Sequence, residues 1–437
     1  MPPYLGLTES ERREIFSSLG LEEFVELEAD VPEQLWDSFE PEKPPLSEQR
    51  VTAWHQRVAA DNTSTEELTC FLGGGVYDHH VPSTVNHFLG RSEFLTAYTP
   101  YQAEINQGIL QALFEFQTMV SRIYDLPVTN ASMYDGASAL AEAILMAAQV
   151  TRREVVYCTP NLYPGWWQVL KTYTEPLAVE LRQLPSKNSR AYLPNEWPDE
   201  PAAVCMAYPN CWGAADRVEN WVERRPDEKC LGVAVANPLA MNLLTPPGEL
   251  GFDVAVGEGQ SLGLPMNGGG PGLGLFSATE KFIRKVPGRL VGQTEDRRGN
   301  RCYVLTLQTR EQHIRRSRAT SNICTNHALM ALGAAVSMAT LGGSGLRRRA
   351  LENHRRGQQL ADEFEKRDYS IFASPFFNEV AVELPGKPPD LERRLAESGW
   401  LGGYFHQDRY ICSATERRSP EQIAAFVEEV DEIVRNK

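Results

Sequence analysis

Between Asp253 and Lys281 the chain reads as a buried strand start, a glycine-rich loop and a helix start, and it holds no lysine. Asp253, Val254, Ala255 and Val256 open the strand, while Gly268, Gly269, Gly270, Pro271 and Gly272 give a backbone suited to close approach. A scaffold of this kind could present an amine for imine chemistry with an aldehyde, and that amine is missing. Lys281 and Lys285, in ATEKFIRK, follow the loop on what reads as an exposed helix among charged neighbours.

A second set of chemically able residues is Tyr98, Thr99, Tyr101, Gln102 and Glu104. Thr99 as cap, Pro100 at the first helical position and Gln102 reaching back predict a helix start. Ile105, Ile109, Leu113, Phe116, Val120 and Ile123 continue it at helical spacing. On the plain reading Tyr98 and Tyr101 pack at the helix entrance. On the functional one, two tyrosines, Gln102 and Glu104 around a helix start orient a small zwitterion whose carboxylate meets donors. In NASMYDGASA, Asp135 precedes a helix with the apolar face Ala137, Leu140, Ala141, Ile144, Leu145 and Ala148. Free amides at such a start favour an anion, but Asp135 is better read as the cap, and its carboxylate would repel a phosphate.

Other candidates carry less. The GGGPGLG run lacks the third glycine of a dinucleotide fingerprint. His79 and His80, with Asp78 before and His87 after, do not make a metal set, because adjacent strand residues face opposite sides. The run REQHIRRSR reads as a solvated helix face, as do Arg347, Arg348 and Arg349.

The elements that must position these residues follow an α/β pattern. Thr8 and Glu11 form a capping box on a short helix, and residues 41–45 (PEKPP) punctuate an irregular arm. This predicts an amino-terminal helical arm over 1–68 and a large α/β domain with a mainly parallel sheet over 69–318, with strands at EVVYC and AAVCMAY. A linking helix and a small carboxy-terminal α/β domain over 319–437 follow, with FNEVAVELP, RYICSATE and a last helix capped by Ser419, Pro420 and Gln422.

At 437 residues the chain has room for a sizeable core, and its net charge of -15 argues against nucleic acid or anionic membrane as main partner. The eight cysteines show no paired spacing and read as reduced core thiols, including those in AVCMAY and NICTN. No basic-then-apolar signal opens the chain, and the longest apolar run, near Ala328 to Leu341, reads as too short and too rich in glycine and small residues to span a bilayer. A soluble cytoplasmic protein is expected.

Six ordered blocks carry a resemblance over nearly the whole chain: FLGGGVYDHHVPSTV from Phe71, EFLTAYTPYQAEINQG from Glu93, NASMYDGASALAEA from Asn130, VGEGQSLGLP from Val256, PGRLVGQT from Pro287, and LTLQTREQHIRR with ATSNICTN from Leu305. In these the chain resembles the glycine decarboxylase (P-protein) of the glycine cleavage system, specifically the first, or alpha, subunit of its two-chain form. The resemblance implies the aspartate-aminotransferase-like fold (fold type I) of pyridoxal-phosphate enzymes. It implies glycine decarboxylation with transfer of the aminomethyl group to the lipoyl arm of H-protein, in an α2β2 heterotetramer whose subunit 2 supplies the cofactor-bonding lysine. On that basis Arg315, Thr320 and Ser321 become candidates for positions near the subunit boundary, completing the partner's phosphate pocket. Two readings compete with it: a self-sufficient homodimeric pyridoxal enzyme acting on another amino acid, and a non-catalytic scaffolding homodimer. The chain departs from the family pattern at Tyr163, where relatives tend to have histidine before proline, and after Pro271, where they tend to have an aromatic residue.

Overall fold

The structure, a computed structural model, describes residues 7–22, 26, 30–32 and 46–435. It divides into two compact units, Met1–Thr63 and Ser64–Lys437. The break therefore precedes residue 68, and the large and small α/β parts belong to one unit.

In the first unit, α1 (Glu9–Leu19) starts at the Thr8–Glu11 capping box, with Thr8 N–H donating to Glu11 Oε2 over 2.6 Å and Glu11 N–H donating to Thr8 Oγ1 over 3.3 Å. Gly20 ends it in a left-handed conformation at φ 71°. Helix α2 (Glu48–Ala59) is capped by Ser47. The punctuation read at residues 41–45 lies outside the described residues.

The second unit is built on a seven-stranded sheet. Its strands are β1 (Val128–Thr129), β2 (Val155–Cys158), β3 (Glu180–Gln183), β4 (Ala203–Tyr208), β5 (Leu231–Ala236), β6 (Val254–Glu258) and β7 (Gly274–Ala278). The spatial order is β3-β2-β4-β5-β6-β7-β1. The five strands from β3 to β6 run parallel, and β7 lies antiparallel to both β6 and β1. AVCMAY and LGVAVA are buried at every position, because a parallel sheet covered on both faces needs continuous apolar strands. Ala203, Cys205 and Ala207 join the core under α4 (Gly136–Thr151), while Val204, Met206 and Tyr208 face α3 (Gln107–Tyr124). The chain leaves β2 for β3 at one edge and then crosses back to β4. Such a reversal opens a crevice beyond the carboxyl ends of the strands.

Helix α5 (Pro164–Thr174) packs beside α4, and α6 (Ala328–Glu365) follows the hairpin β8 (Leu290–Glu295) and β9 (Arg301–Thr306). The apolar run near Ala328 thus belongs to a 38-residue helix, interrupted at Gly342 with φ 62°. This corrects the expectation of a run too short to span a bilayer. By length and composition α6 could cross one, but Ala331, Leu332, Ala334, Ala335 and Met338 are buried in the protein core.

A second, antiparallel sheet, ordered β10-β11-β13-β12, closes the unit with β10 (Ser370–Ile371), β11 (Glu379–Glu383), β12 (Tyr404–His406) and β13 (Arg409–Ser413). Helix α7 (Pro420–Arg435) covers it, its start fixed by reciprocal Ser419–Gln422 hydrogen bonds of 3.0 and 3.2 Å. Six cysteines are buried as expected; Cys302 is half-buried and Cys324, in NICTN, is exposed. That run carries its apolar side chain on Ile323 instead.

Arg349 is not solvated but buried beside Glu416, its Nε 3.5 Å from the carboxylate. His79 Nδ1 (2.9 Å), the His80 N–H (2.9 Å) and Asn353 Nδ2 (2.7 Å) complete that carboxylate's shell. Burial pushes the Glu416 carboxyl up, but His79 and Arg349 outweigh it and hold the group well below the usual carboxylate range. A depressed folded value adds stability that is present above the unfolded value and lost as pH falls through the range below it. The unfolding midpoint is therefore expected to drop between about pH 5 and 3, and Glu416→Gln should flatten that slope in acid unfolding.

Candidate functional site

The crevice at the strand ends is a cleft of about 470 Å³. The start of α4 (Tyr134, Asp135, Gly136), Trp166 of α5, Glu258 at the end of β6, the glycine loop to Gly272, and His327 line it. Gly136 must be glycine here, since a Cβ would lie 2.5 Å from the Trp166 ring and 2.9 Å from the Glu258 nitrogen. Within the glycine loop, Gly268 and Gly269 are left-handed at φ 60° and 111° but face open space. Gly272 makes the close approach, its missing Cβ 3.1 Å from Asp135 and 3.2 Å from Glu258 Oε2.

The electrostatics of the cleft floor are acidic. Asp135 caps α4 by accepting from the Ser138 N–H at 2.7 Å, in a reciprocal box with that serine. Glu258 Oε2 accepts from the Gly136 N–H at 3.0 Å, and Oε1 from Leu273 at 2.8 Å and Gln260 at 3.1 Å. Burial pushes the Glu258 carboxyl up against those hydrogen bonds, with Asp135 adding to the rise. Of the helix-start amides that could cradle a phosphate, those of Gly136 and Ser138 are committed to carboxylates.

Beside the cleft, Tyr163 and Trp166 line a small recess with Asn237 and Glu258. Tyr163 Oη donates to Glu379 Oε2 at 2.6 Å, and Tyr77 Oη donates to the same oxygen at 2.9 Å. The departure at Tyr163 thus has a local use. It ties the start of α5 to the carboxy-terminal sheet through a fully buried carboxyl, which burial pushes up.

Pyridoxal phosphate held covalently does not fit these residues. No lysine lies between Asp253 and Lys281. Lys281 sits on a short 3-10 turn rather than a helix, with its Nζ 2.6 Å from Asp253 Oδ1 in an ion pair. Asp135 and Glu258 both place a carboxylate at the start of α4.

The block from Thr99 to Glu104 differs from its expected form. Helix α3 begins at Gln107, not at Pro100, and Gln102 instead precedes a 3-10 turn, Ala103–Ile105, that contains Glu104. The helix starts where the Gln107 side chain docks on β9, accepting from the Tyr303 N–H and donating to the Tyr303 carbonyl, both at 2.9 Å. Tyr98 is 77% exposed and does not pack at any helix entrance. Thr99 Oγ1 is buried without a partner. Gln102 accepts at its carbonyl from Asn106 Nδ2 at 2.8 Å, and Glu104 is exposed.

Tyr101 is placed by a residue that the individual reading missed, Arg289. The Arg289 guanidinium is buried, donates to Tyr101 Oη at 3.0 Å and Asn326 Oδ1 at 3.3 Å, and lies 4.0 Å from Glu311. Its position inside PGRLVGQT was the available signal. The loop bearing Cys324 and Asn326 then reaches the cleft, where Tyr134 Oη accepts from the Cys324 N–H at 3.3 Å and His327 Nδ1 bonds the Gly272 carbonyl at 2.7 Å. Tyr101 and the cleft are therefore mechanically linked.

The basic run forms only the short helix Gln312–Arg315 and a 3-10 turn. Arg310 is buried, with its guanidinium donating to the carbonyls of Val286, Gly288 and Leu307. Arg315 is exposed, its Nε on the Thr309 carbonyl at 3.0 Å. Thr320 and Ser321 are half-buried, and Ser321 Oγ accepts from the Ile323 N–H at 3.0 Å. These three do not join the Tyr101 cluster. His79 and His80 both serve Glu416, Asp78 pairs with Arg417 and Arg418, and among the described residues no group of three His, Cys, Asp or Glu could hold a metal ion.

Comparison with known proteins agrees with this geometry. The family model of the glycine cleavage system P-protein matches residues 2–430. The chain is 42% identical over 439 residues to the probable glycine dehydrogenase (decarboxylating) subunit 1 of Geobacillus kaustophilus, covering 98% of each chain. It superimposes with a TM-score of 0.92 at 41% identity on a crystal structure of glycine decarboxylase (P-protein) of the glycine cleavage system in inhibitor-bound form, covering 98% of this chain and 99% of that one. Glutamate decarboxylase of Lactobacillus brevis shares the fold alone, with a TM-score of 0.67 at 14% identity over 94% of this chain and 96% of that one.

Proposed function

The chain belongs to the glycine cleavage system P-protein family as a glycine dehydrogenase (decarboxylating) subunit 1, and from that premise we propose that it is the half of a split site that completes a pocket without bonding the cofactor. Subunit 2 brings the lysine and pyridoxal phosphate, which when bound supplies an electron sink for the carbanion left as glycine loses CO2. The two chains pair in an α2β2 heterotetramer, and the aminomethyl group passes to the lipoyl arm of H-protein. One observation carries the reading: the fold is complete, yet its cleft has no amine, and the start of α4 is closed by Asp135 and Glu258.

This chain's own contribution runs through Arg289. The guanidinium sets Tyr101 Oη, and Tyr101 remains 52% exposed, available to orient a zwitterion in a pocket finished by the partner. Leu95, Tyr98 and Ile105 are also exposed, by 57%, 77% and 77%. An apolar row of that size on one segment suits the surface of another subunit. Arg315, Thr320 and Ser321 stay candidates for that boundary, and the working compartment is the cytoplasm.

Expressed and purified alone, the chain is expected to show no borohydride-reducible absorbance of an internal imine, and mass analysis should find no pyridoxyl-lysine. A reducible band would favour the self-sufficient enzyme and sink the proposal. In the complex with subunit 2, Tyr101→Ala is expected to cost only about 1 kcal/mol of stability, since the ring is half exposed and holds one hydrogen bond. Glycine–bicarbonate exchange should nevertheless fall on the order of tenfold or more through lost positioning. Loss of assembly with unchanged specific exchange would instead make Tyr101 structural.

A further inference from the structure

We propose that Glu258 is a built-in anion: its carboxylate occupies the phosphate seat at the start of α4 and, with Asp135, closes that seat to phosphate-bearing ligands. The split-site reading needs only the missing amine; this inference concerns the phosphate end and goes beyond it.

The coordination of the carboxylate supports the assignment. Three backbone N–H groups converge on it from three segments: Gly136 at the helix start (3.0 Å), Gln260 after β6 (3.1 Å) and Leu273 in the glycine loop (2.8 Å). Backbone donors at a helix start, reinforced by the peptide dipoles, are the usual partners of a bound phosphate. Here a side chain of the same polypeptide takes them.

Steric closure agrees with this. Gly136 and Gly272 have no spare volume toward Glu258, since a Cβ would lie 2.9 Å from its nitrogen at the first position and 3.2 Å from its Oε2 at the second. Gly272 thus packs against the carboxylate, and Gly136 against the backbone that carries it. Charge closes the seat further, because Asp135 shares the helix start and spends Oδ1 on the Ser138 N–H at 2.7 Å. An incoming phosphate would meet two carboxylates and find the Gly136 and Ser138 amides taken. The cleft of about 470 Å³ above them stays open, but any ligand in it is held without a phosphate anchor. The consequence for the assembly is one cofactor per pair of chains, with this half barred from loading.

The test uses the full chain and equilibrium dialysis of pyridoxal phosphate, with inorganic phosphate as competitor. Wild type is expected to show no saturable, phosphate-competed uptake. Asp135→Ser with Glu258→Ala keeps a serine cap on α4 and empties the seat, so uptake should be at least about tenfold tighter than wild type and lost in excess phosphate. Glu258→Ala alone, which empties the seat and keeps the Asp135 cap, covers the case in which the double variant does not fold. Its melting temperature should rise on adding inorganic phosphate, and that of wild type should not. The inference is overturned if wild type takes up pyridoxal phosphate in competition with phosphate, or if folded variants bind no better than wild type. Non-covalent uptake by wild type would end this inference yet leave the missing amine, and so the split-site reading, intact.

Discussion

Replacing Arg289 with alanine is expected to lower the stability of the chain by about 3–5 kcal/mol, the usual cost of removing one partner of a buried charge pair. Arg289 and Glu311 are only 3% and 8% exposed. The change would remove the guanidinium 4.0 Å from the Glu311 carboxylate, leaving it His313 at 3.7 Å, and it would take away the donor to Tyr101 Oη and Asn326 Oδ1. Arg289→Lys keeps the charge but cannot supply the planar fork, so it should recover only part of the loss. Denaturant midpoints measure both. A cost under about 1 kcal/mol for the alanine variant would mean that the guanidinium does not organise this region. In the complex, both variants should reduce exchange more than assembly, because Arg289 is buried and positions Tyr101.

The second large effect is expected at Asp216, which is completely buried. Its Oδ1 accepts from the Ala191 N–H (2.9 Å), Asn210 Nδ2 (2.9 Å) and Asn161 Nδ2 (3.2 Å), and its Oδ2 from the Ala207 N–H (3.0 Å). Asn161 in turn accepts from Trp212 Nε1 at 3.1 Å, so one carboxylate organises the loops that follow β2 and β4. Asp216→Ala takes an acceptor from four buried donors, of which the Asn161 and Asn210 amides keep the Ser189 carbonyl, and each lost bond costs about 1 kcal/mol. A loss of at least about 3 kcal/mol is therefore expected from unfolding curves. Asp216→Asn is nearly isosteric but turns an amide toward donors, so it should recover little. Full recovery by asparagine would show that shape, not acceptance, matters there.

The sequence made the fold legible where local chemistry and packing agree. The short apolar run AVCMAY forms a fully buried strand, and both the Thr8–Glu11 and Ser419–Gln422 boxes form as read. Asp135 is the cap it was taken to be. Where the reading failed, a distant contact overrode a local signal. Thr99, Pro100 and Gln102 spell a helix start, but Gln107 docks on the Tyr303 backbone, 196 residues away, and fixes the start there. Arg349 reads as one of three solvated arginines, yet it is buried against Glu416, which arrives from the carboxy-terminal loop. Cys324 looked apolar by its neighbours and lies outside because Ile323 takes the inward place.

The candidate site was half legible for the same reason. An absent lysine can be seen in a string of letters, and so can a block that contains Tyr101. That Glu258 would fold back onto the amides of Gly136 could not, because those residues are 122 apart in sequence and meet only when β6 lies beside α4. Arg289 was visible as a letter within a block but not as the residue that sets Tyr101. Thr320 and Ser321 are half-buried, with Ser321 beside Glu142, and nothing in their neighbours' letters foretold that contact.

Reconstitution with a subunit 2 tests the central claim most directly, by glycine–bicarbonate exchange of each chain alone and of the two together with H-protein. Exchange is expected only from the pair, with pyridoxal phosphate bonded to the partner and none to this chain. Full exchange by subunit 2 alone, or any exchange by this chain alone, would contradict the account.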